Sequence, residues 1–155
     1  MSVVRASLLG AVDGAITSFA IVAGANALTS SLSTVLVVGS SSLLADGVSM
    51  GVSEYLSSAS EKAAEKKTSS RPVVQGALCL GSFVTAGVVP LGAYLASESI
   101  LAASAVFLLE LMALGSARTA LSGEALFVGL AQTTLLGAFA GSVALGVGWL
   151  SAQFL

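Results

Sequence analysis

LLADGVSMGVSEYLSSASE, residues 43–61, places acidic side chains inside a long apolar segment that is typical of a membrane-spanning helix. Asp46, Met50 and Glu54 recur there every four residues. At about 100° per residue, this spacing keeps the three side chains within about 80° of one another around a helix. The stretch therefore predicts one polar stripe along a spanning helix, with carboxylate and thioether groups that suit a metal ion.

Composition places the whole chain in the same class. Of its 155 residues, 55% are hydrophobic and 9% are charged, and apolar runs of membrane-spanning length recur throughout. At about 20 residues per span, the chain has room for five spans and little else. We therefore predict an all-α integral membrane protein with a single transmembrane domain over residues 1–155. The predicted spans are 6–28, 32–59, 73–96, 100–117 and 124–150, with a charged loop over residues 60–72.

The cationic residues predict the orientation. If the N-terminus is cytoplasmic, all six Lys and Arg residues fall on the cytoplasmic side, and the links on the opposite side contain none. An odd number of spans then places the C-terminus on the lumenal or extracytoplasmic side. The six cations are Arg5, Lys62, Lys66, Lys67, Arg71 and Arg118.

Apart from Glu124, the first residue of the fifth predicted span, four carboxylates lie within the predicted spans: Asp13, Asp46, Glu54 and Glu110. An ionised carboxylate there costs several kcal/mol, and no Lys or Arg lies within the spans, so each must be protonated, reach water or hold a cation. Asp13 and Met50 are predicted to lie roughly 10 to 12 Å below the cytoplasmic surface, with Asp46 one turn deeper. Since the chain has no histidine, these ligands suit Fe²⁺ or Mn²⁺ better than a histidine-rich zinc site. The alternative for Met50 is a core-filling role.

Three acids, Glu110 and two in the charged loop, are weaker candidates. Glu110 stands alone in FLLELMALG, and a protonated carboxyl bonded to a neighbouring helix is an alternative to a site role. If EKAAEKK is helical, Glu61 and Glu65 prolong the acidic face into the cytosol, where they would gather cations. The alternative is an ordinary solvated linker with anchoring lysines.

Glycine pairs spaced four residues apart occur in three of the predicted spans. Such small residues allow the backbones of membrane helices to approach closely. General tight packing is one interpretation, and a dimer interface is the other; the first pair is the best candidate for an interface because Asp13 lies inside it. The pairs are Gly10/Gly14, Gly47/Gly51 and Gly137/Gly141.

DGAITSFAIVAG, residues 13–24, and LADGVSMGVSEYLSSASE, residues 44–61, resemble the two signature stretches of the vacuolar iron transporter family. This family includes the yeast vacuolar calcium/iron carriers and the plant nodulin-21-like proteins; GVVPLGAYL in the third span is a looser match. The resemblance implies a five-helix homodimer whose ion path runs between the subunits and which exchanges Fe²⁺ or Mn²⁺ for protons. It implies that Asp13 and Met50 help to bind the ion, and that Asp46 and Glu54 occupy acidic signature positions.

The segment between the second and third spans departs from the best-described family members. They carry a long cytoplasmic helical domain rich in Glu and Met there, whereas this chain has about a dozen residues, as the nodulin-like branch does. We therefore expect no cytosolic metal-collecting domain, and weaker capture of metal at low concentration.

The sequence thus predicts a proton-coupled transporter that moves Fe²⁺ and/or Mn²⁺ from the cytosol to a vacuole or other lumen, or to the exterior. Its predicted metal ligands are Asp13, Asp46, Met50 and Glu54, with Glu61, Glu65 and Glu110 as secondary candidates. One alternative is a small homodimeric proton-coupled exporter of organic cations, and another is a membrane assembly or scaffold protein.

The same residues limit the partners and the location. We expect no enzyme activity, because the chain lacks histidine and its one cysteine, Cys79, lies in a span with no evident base. We expect the lipid bilayer, a second copy and the divalent metal as partners, with exchanged protons, no resident cofactor and no nucleic acid. The expected location is a vacuolar or other organellar membrane in a eukaryote, or the cell membrane in a prokaryote.

Overall fold

The computed structural model describes residues 2–28, 31–65, 71–123 and 125–154, which fold as five helices. Each helix is long and apolar enough to cross a membrane. The all-α architecture with five candidate spans is therefore confirmed, and the chain is a multi-pass integral membrane protein. The helices are α1 (Ser2–Ala27), α2 (Leu32–Glu65), α3 (Pro72–Ser97), α4 (Ile100–Ser122) and α5 (Leu126–Ala152).

Helix α2 is longer than the predicted second span. It continues to Glu65, so the first half of the predicted loop 60–72 is helical. The segment EKAAE consists of strong helix formers, which explains why the helix does not end near residue 59. Helix α3 then begins at Pro72, whose fixed φ suits the first position of a helix.

Helix α4 also extends beyond its predicted end at residue 117. It ends at Ser122, and the next residue, Gly123, adopts a φ of 72° and donates its backbone N–H to the carbonyl of Thr119. A left-handed residue after the last turn favours glycine, so the end of α4 follows the local sequence. The predicted start of the fifth span, residue 124, lies outside the described residues, and α5 begins at Leu126.

Contacts along α3 establish the directions of the first three helices. Gly10 and Gly14 of α1 lie against Cys79 and Phe83 of α3, so these two helices are parallel. Helix α2 packs against the same helix in reverse order, with Gly51 against Gly76 and Gly39 against Leu91. These three helices form the more tightly associated part of the bundle.

The last two helices continue the pattern in which successive helices run in opposite directions. Gly115 of α4 lies against Gly129 of α5, and Gly137 of α5 lies against Leu111, so this pair is antiparallel. Helix α5 packs along α1, with Gly148 beside Ala27. Since α1 contacts each of the other four helices, it is the centre of the bundle.

The alternation brings the described Lys and Arg residues to one end of the bundle, here named the cationic end. They lie near the start of α1, the end of α2, the start of α3 and the end of α4. Lys66 and Lys67 lie outside the described residues. The structure thus reproduces the charge asymmetry from which the orientation was predicted, and the cytoplasmic location of this end stays a prediction. The four residues are Arg5, Lys62, Arg71 and Arg118.

The glycine pairs all serve packing within the chain. A Cβ atom on Gly10 would lie 2.2 Å from the Cys79 carbonyl oxygen, and one on Gly14 would lie 2.1 Å from that of Phe83. The prediction that Gly10/Gly14 is the best candidate for a dimer interface is therefore wrong, because α3 covers this face of α1. The pairs Gly47/Gly51 and Gly137/Gly141 likewise face side chains or backbone of this chain.

Candidate metal site along α1 and α2

Asp13 and Asp46 lie at the same depth in the bundle. Their neighbours Gly14 and Gly47 both face Phe83 of α3, one against its backbone and the other against its ring. The predicted depth relation, which placed Asp13 level with Met50 and Asp46 one turn deeper, is therefore wrong by about one turn.

The predicted stripe on α2 turns from the surface into the bundle. Asp46 is exposed, Met50 is partly buried and Glu54 is 5% exposed. Each four-residue step rotates a helical side chain by about 40°, so two steps carry the stripe from an open face to a packed one. The three side chains therefore share one side of α2, with different access to the surroundings.

Met50 contacts the apolar core. Its side chain packs against a cluster of buried residues that includes Leu43 of α2 and Phe83 of α3. This contact gives Met50 the packing role that was weighed as the alternative. The role of its sulfur as a metal ligand stays a prediction.

Glu54 has a basic partner that the sequence analysis missed. Arg5 Nη2 lies 3.5 Å from Glu54 Oε2, and the arginine is 60% exposed while the glutamate is 5% exposed. The prediction that no cation neutralises Glu54 is therefore wrong. Arg5 lies outside the predicted first span, but its long side chain reaches the buried carboxylate. No salt bridge to Asp13 or Asp46 is found among the residues that the structure describes.

A second buried polar contact lies one turn from Glu54. The Ser58 hydroxyl donates to Gln75 Oε1, and both side chains are buried between α2 and α3. Within the described part of the chain, Gln75 Nε2 has no hydrogen-bond partner. In the sequence, Gln75 stands out as a single amide near the start of the otherwise apolar α3. Its partner, Ser58, is identified only by the packing of α2 against α3.

The secondary candidates lie apart from the Asp13–Asp46 pair. Glu110 is partly buried on α4, which does not contact α2 within the described residues, and its Oε2 atom is buried there without a hydrogen-bond partner. Glu61 is exposed near the end of α2. The side chain of Glu65 lies outside the described part of the structure. The arrangement therefore brings together Asp13 and Asp46, and leaves Glu110 in a different part of the bundle.

Within the described part of the chain, the acidic side chains do not form a metal-binding cluster. Among the described residues, no group of three or more His, Cys, Asp or Glu side chains is placed to hold a metal ion. The donors nearest to such a group are Asp13 on α1 and Asp46 on the exposed face of α2.

Two comparisons with known proteins agree with this part of the chain. The model of the VIT family matches residues 4–71, which contain nearly all of α1 and the whole of α2. A relative from Toxoplasma gondii (strain ATCC 50861 / VEG), named "Vacuolar iron transporter", is 52% identical over 59 residues. The aligned region covers 38% of this chain and 20% of that relative, so the match spans about a fifth of the relative's length. Residues 4–71, which contain both signature stretches, are therefore similar in sequence to the vacuolar iron transporter family.

Proposed function

We propose that this protein transports a divalent transition metal, Fe²⁺ and/or Mn²⁺, out of the cytosol in exchange for protons. The proposed path follows α1 and α2, with Asp13, Asp46, Met50 and Glu54 along it. The observation that carries the proposal is that Asp13 and Asp46 lie at the same level along α3, next to Gly14 and Gly47, within helices that are long enough to span a membrane.

Placing these two acids side by side in a membrane costs free energy. Two ionised carboxylates at one depth repel each other and lose hydration inside a bilayer. A divalent cation offsets both costs, and so does protonation of either acid. Alternate binding of a metal ion and of protons by the same carboxylates is the simplest basis for exchange, because each occupant excludes the other.

The exposed position of Asp46 supports a homodimer. Membrane helices do not leave a carboxylate facing lipid, so the open face of α2 needs water or protein beside it. A second copy placed on this face would bring two Asp46 side chains and two Asp13 side chains toward one path. This arrangement supplies the ligands that one chain lacks.

Glu54 has a different proposed role from that of Asp46. It lies nearer the cationic end, it is buried, and Arg5 holds its carboxylate. A metal ion arriving from this end would compete with Arg5 for Glu54. We therefore assign Glu54 to the entrance of the path, with Asp13 and Asp46 at the deeper position.

The two alternative functions, export of organic cations and a scaffold role, require different residues. An exporter of organic cations usually encloses its substrate with aromatic rings, and α2 has Tyr55 as its aromatic residue. A scaffold protein requires no carboxylate on a membrane-exposed face. The family match in residues 4–71 favours metal transport over both, and it also favours a transporter over an enzyme.

Flux into liposomes tests the proposal. Purified protein is reconstituted, Fe²⁺ or Mn²⁺ is added outside, a pH gradient is imposed, and metal uptake is compared between wild type, Asp13→Asn and Met50→Ala. We expect gradient-dependent uptake by wild type and lower rates in both variants, with Asp13→Asn the more affected. Equal uptake by all three proteins, or uptake of an organic cationic dye without metal, would contradict the proposal.

A further inference from the structure

Gln75 is a buried amide at a level where three helices meet. A Cβ on Gly76, the next residue of α3, would lie 2.6 Å from the Gly51 carbonyl oxygen of α2. Glu54 follows Gly51 by three residues toward the cationic end, so at 1.5 Å per residue Gln75 and Glu54 lie within about 3 Å of the same level. Arg5 of α1 reaches this level too, because its guanidinium contacts the Glu54 carboxylate. The ion pair and the amide therefore share one layer of the bundle.

The amide group of Gln75 is only half used within the described residues. Its Oε1 atom accepts a hydrogen bond from the Ser58 hydroxyl, whereas its Nε2 atom is buried and donates to none of the described groups. The residue is 2% exposed, so bulk water does not supply an acceptor. A buried donor without an acceptor is costly. The nitrogen therefore favours any arrangement that brings an oxygen acceptor within its reach.

Glu54 is the acceptor that the helix geometry offers to this nitrogen. It lies four residues before Ser58 on the same face of α2, and both side chains are buried. The amide oxygen is already held beside this face by Ser58, and the last side-chain torsion of Gln75 is soft, so the nitrogen can swing around that anchor. A carboxylate has two oxygens with about four acceptor positions. Glu54 can therefore accept from Gln75 while it also holds a cation.

Arg5 decides when Glu54 needs a second donor. The arginine is exposed, so its guanidinium can withdraw into water, whereas the carboxylate stays buried between the helices. A buried charge that loses its partner is strongly destabilised. The Gln75 amide is uncharged, so it can support the carboxylate without repelling an incoming metal ion.

We propose that Gln75 is a positioning residue for Glu54, and that its Nε2–H donates to the Glu54 carboxylate once a metal ion has displaced Arg5. The Ser58 hydroxyl holds the other side of the amide, so the three side chains form a chain that orients the carboxylate oxygen facing the metal. Carboxylates that bind metal ions are themselves hydrogen-bonded, and loss of such a bond commonly lowers metal affinity about 10- to 100-fold. The link to metal rests on the proposed function, whereas the change of partner from Arg5 to Gln75 does not.

Thermal unfolding in detergent without metal tests the change of partner. Gln75→Leu is introduced into wild type and into Arg5→Gln, in which the guanidinium is absent. We expect Gln75→Leu to lower the unfolding midpoint by about 2 to 4 °C more in Arg5→Gln than in wild type, because only there does Nε2 bond to Glu54. Gln75→Met, which is unbranched and of similar length, should give the same difference.

Tyr94→Phe is the matched control for this measurement. It removes the hydroxyl that donates to Asn26 Oδ1 at the other end of α3. Its loss should be the same in both backgrounds, because Arg5 does not reach that end. Equal losses from Gln75→Leu in wild type and in Arg5→Gln would overturn the proposal, as would a background-dependent loss from Tyr94→Phe.

Mn²⁺ uptake into liposomes tests the link to transport. Gln75→Leu should raise the Mn²⁺ concentration for half-maximal uptake about tenfold and leave the maximal rate within about twofold. In a Glu54→Gln background it should cause no further rise, which a general loss of stability would not produce. Tyr94→Phe should match wild type.

An unchanged half-maximal concentration in Gln75→Leu would overturn the proposed role, as would an equal rise in the Glu54→Gln background. A different result would refute the proposed function of the protein. If wild type takes up no Mn²⁺ while unfolding still depends on the Arg5 background, metal transport fails, and the change of partner at Glu54 stands.

Discussion

Arg5 Nη2 lies 3.5 Å from Glu54 Oε2, which joins the start of α1 to the part of α2 near the cationic end through one exposed and one buried charge. This asymmetry decides what each partner contributes. The guanidinium remains largely hydrated without the glutamate, whereas the carboxylate depends on the arginine for compensation. Loss of the two partners should therefore have unequal effects.

We expect Arg5→Gln to lower the free energy of unfolding by about 1 to 3 kcal/mol, because it leaves the Glu54 carboxylate buried without a cation. Glu54→Gln should cost under about 1 kcal/mol, since the exposed Arg5 stays in water. Thermal unfolding in detergent micelles measures both, with Arg71→Gln as an exposed control. Equal destabilisation by the two substitutions would show that the pair does not have this asymmetry.

Glycine packing between α1 and α3 leads to a matched pair of substitutions in one helix. Gly14→Ala should destabilise the protein by about 1 to 3 kcal/mol, because overpacking forces α1 and α3 apart. A new Cβ there would lie 2.1 Å from the Phe83 carbonyl oxygen, whereas a Cβ on Gly24 has nothing within 4 Å. Gly24→Ala should be neutral or stabilising by up to about 1 kcal/mol. Similar unfolding midpoints for the two alanine variants would contradict the close approach.

The Ser58–Gln75 contact predicts a double-mutant effect. Ser58→Ala should cost about 1 to 3 kcal/mol, because it leaves Gln75 Oε1 buried without a donor. Adding Gln75→Leu should recover much of the loss, since both polar partners are then replaced by apolar groups. The same thermal measurement on the single and double variants checks this; additive losses would count against a direct interaction.

Asp46 is expected to affect transport without affecting the fold. Asp46→Asn should lower metal uptake into liposomes by about tenfold or more, equivalent to about 1.4 kcal/mol of lost attraction for the cation. Its unfolding midpoint should match wild type because the side chain is exposed. Glu61→Gln is the control, and solvent screening should limit its effect to about twofold or less. A larger effect from Glu61 than from Asp46 would move the site to the end of α2.

In the proposed homodimer, the exposed faces of the two α2 helices lie close enough to be cross-linked. Ser53 is exposed and lies two turns from Asp46 on the same side of the helix. Ser53→Cys should form a disulfide-linked dimer under oxidation, which non-reducing gel electrophoresis detects. Leu135→Cys, 69% exposed on α5, is the control and should remain monomeric. Native Cys79 is buried and provides the background. Cross-linking of Leu135→Cys in place of Ser53→Cys would place the interface on α5.

Much of the architecture followed from the sequence because lipid imposes simple length and polarity requirements. Apolar runs predicted five helices, and the helix-ending Gly123 and helix-starting Pro72 mark boundaries by local backbone preference. The acidic stripe on α2 was also predictable from the sequence, since helical periodicity alone places Asp46, Met50 and Glu54 on one side of the helix. The end of α2 was less predictable, because charged residues with high helix propensity extend a helix beyond the membrane.

By itself, the sequence determined the membrane class, the five helices, the family signatures in α1 and α2 and the clustering of cations at one end. Only the tertiary structure decided that Asp13 lies level with Asp46, that Arg5 reaches Glu54 and that Gly10 and Gly14 pack against α3. The reason is physical: periodicity and hydropathy specify a helix and its faces, whereas the relative depth and rotation of two helices depend on how their side chains interlock. A one-turn shift leaves every sequence pattern intact and changes which carboxylates meet.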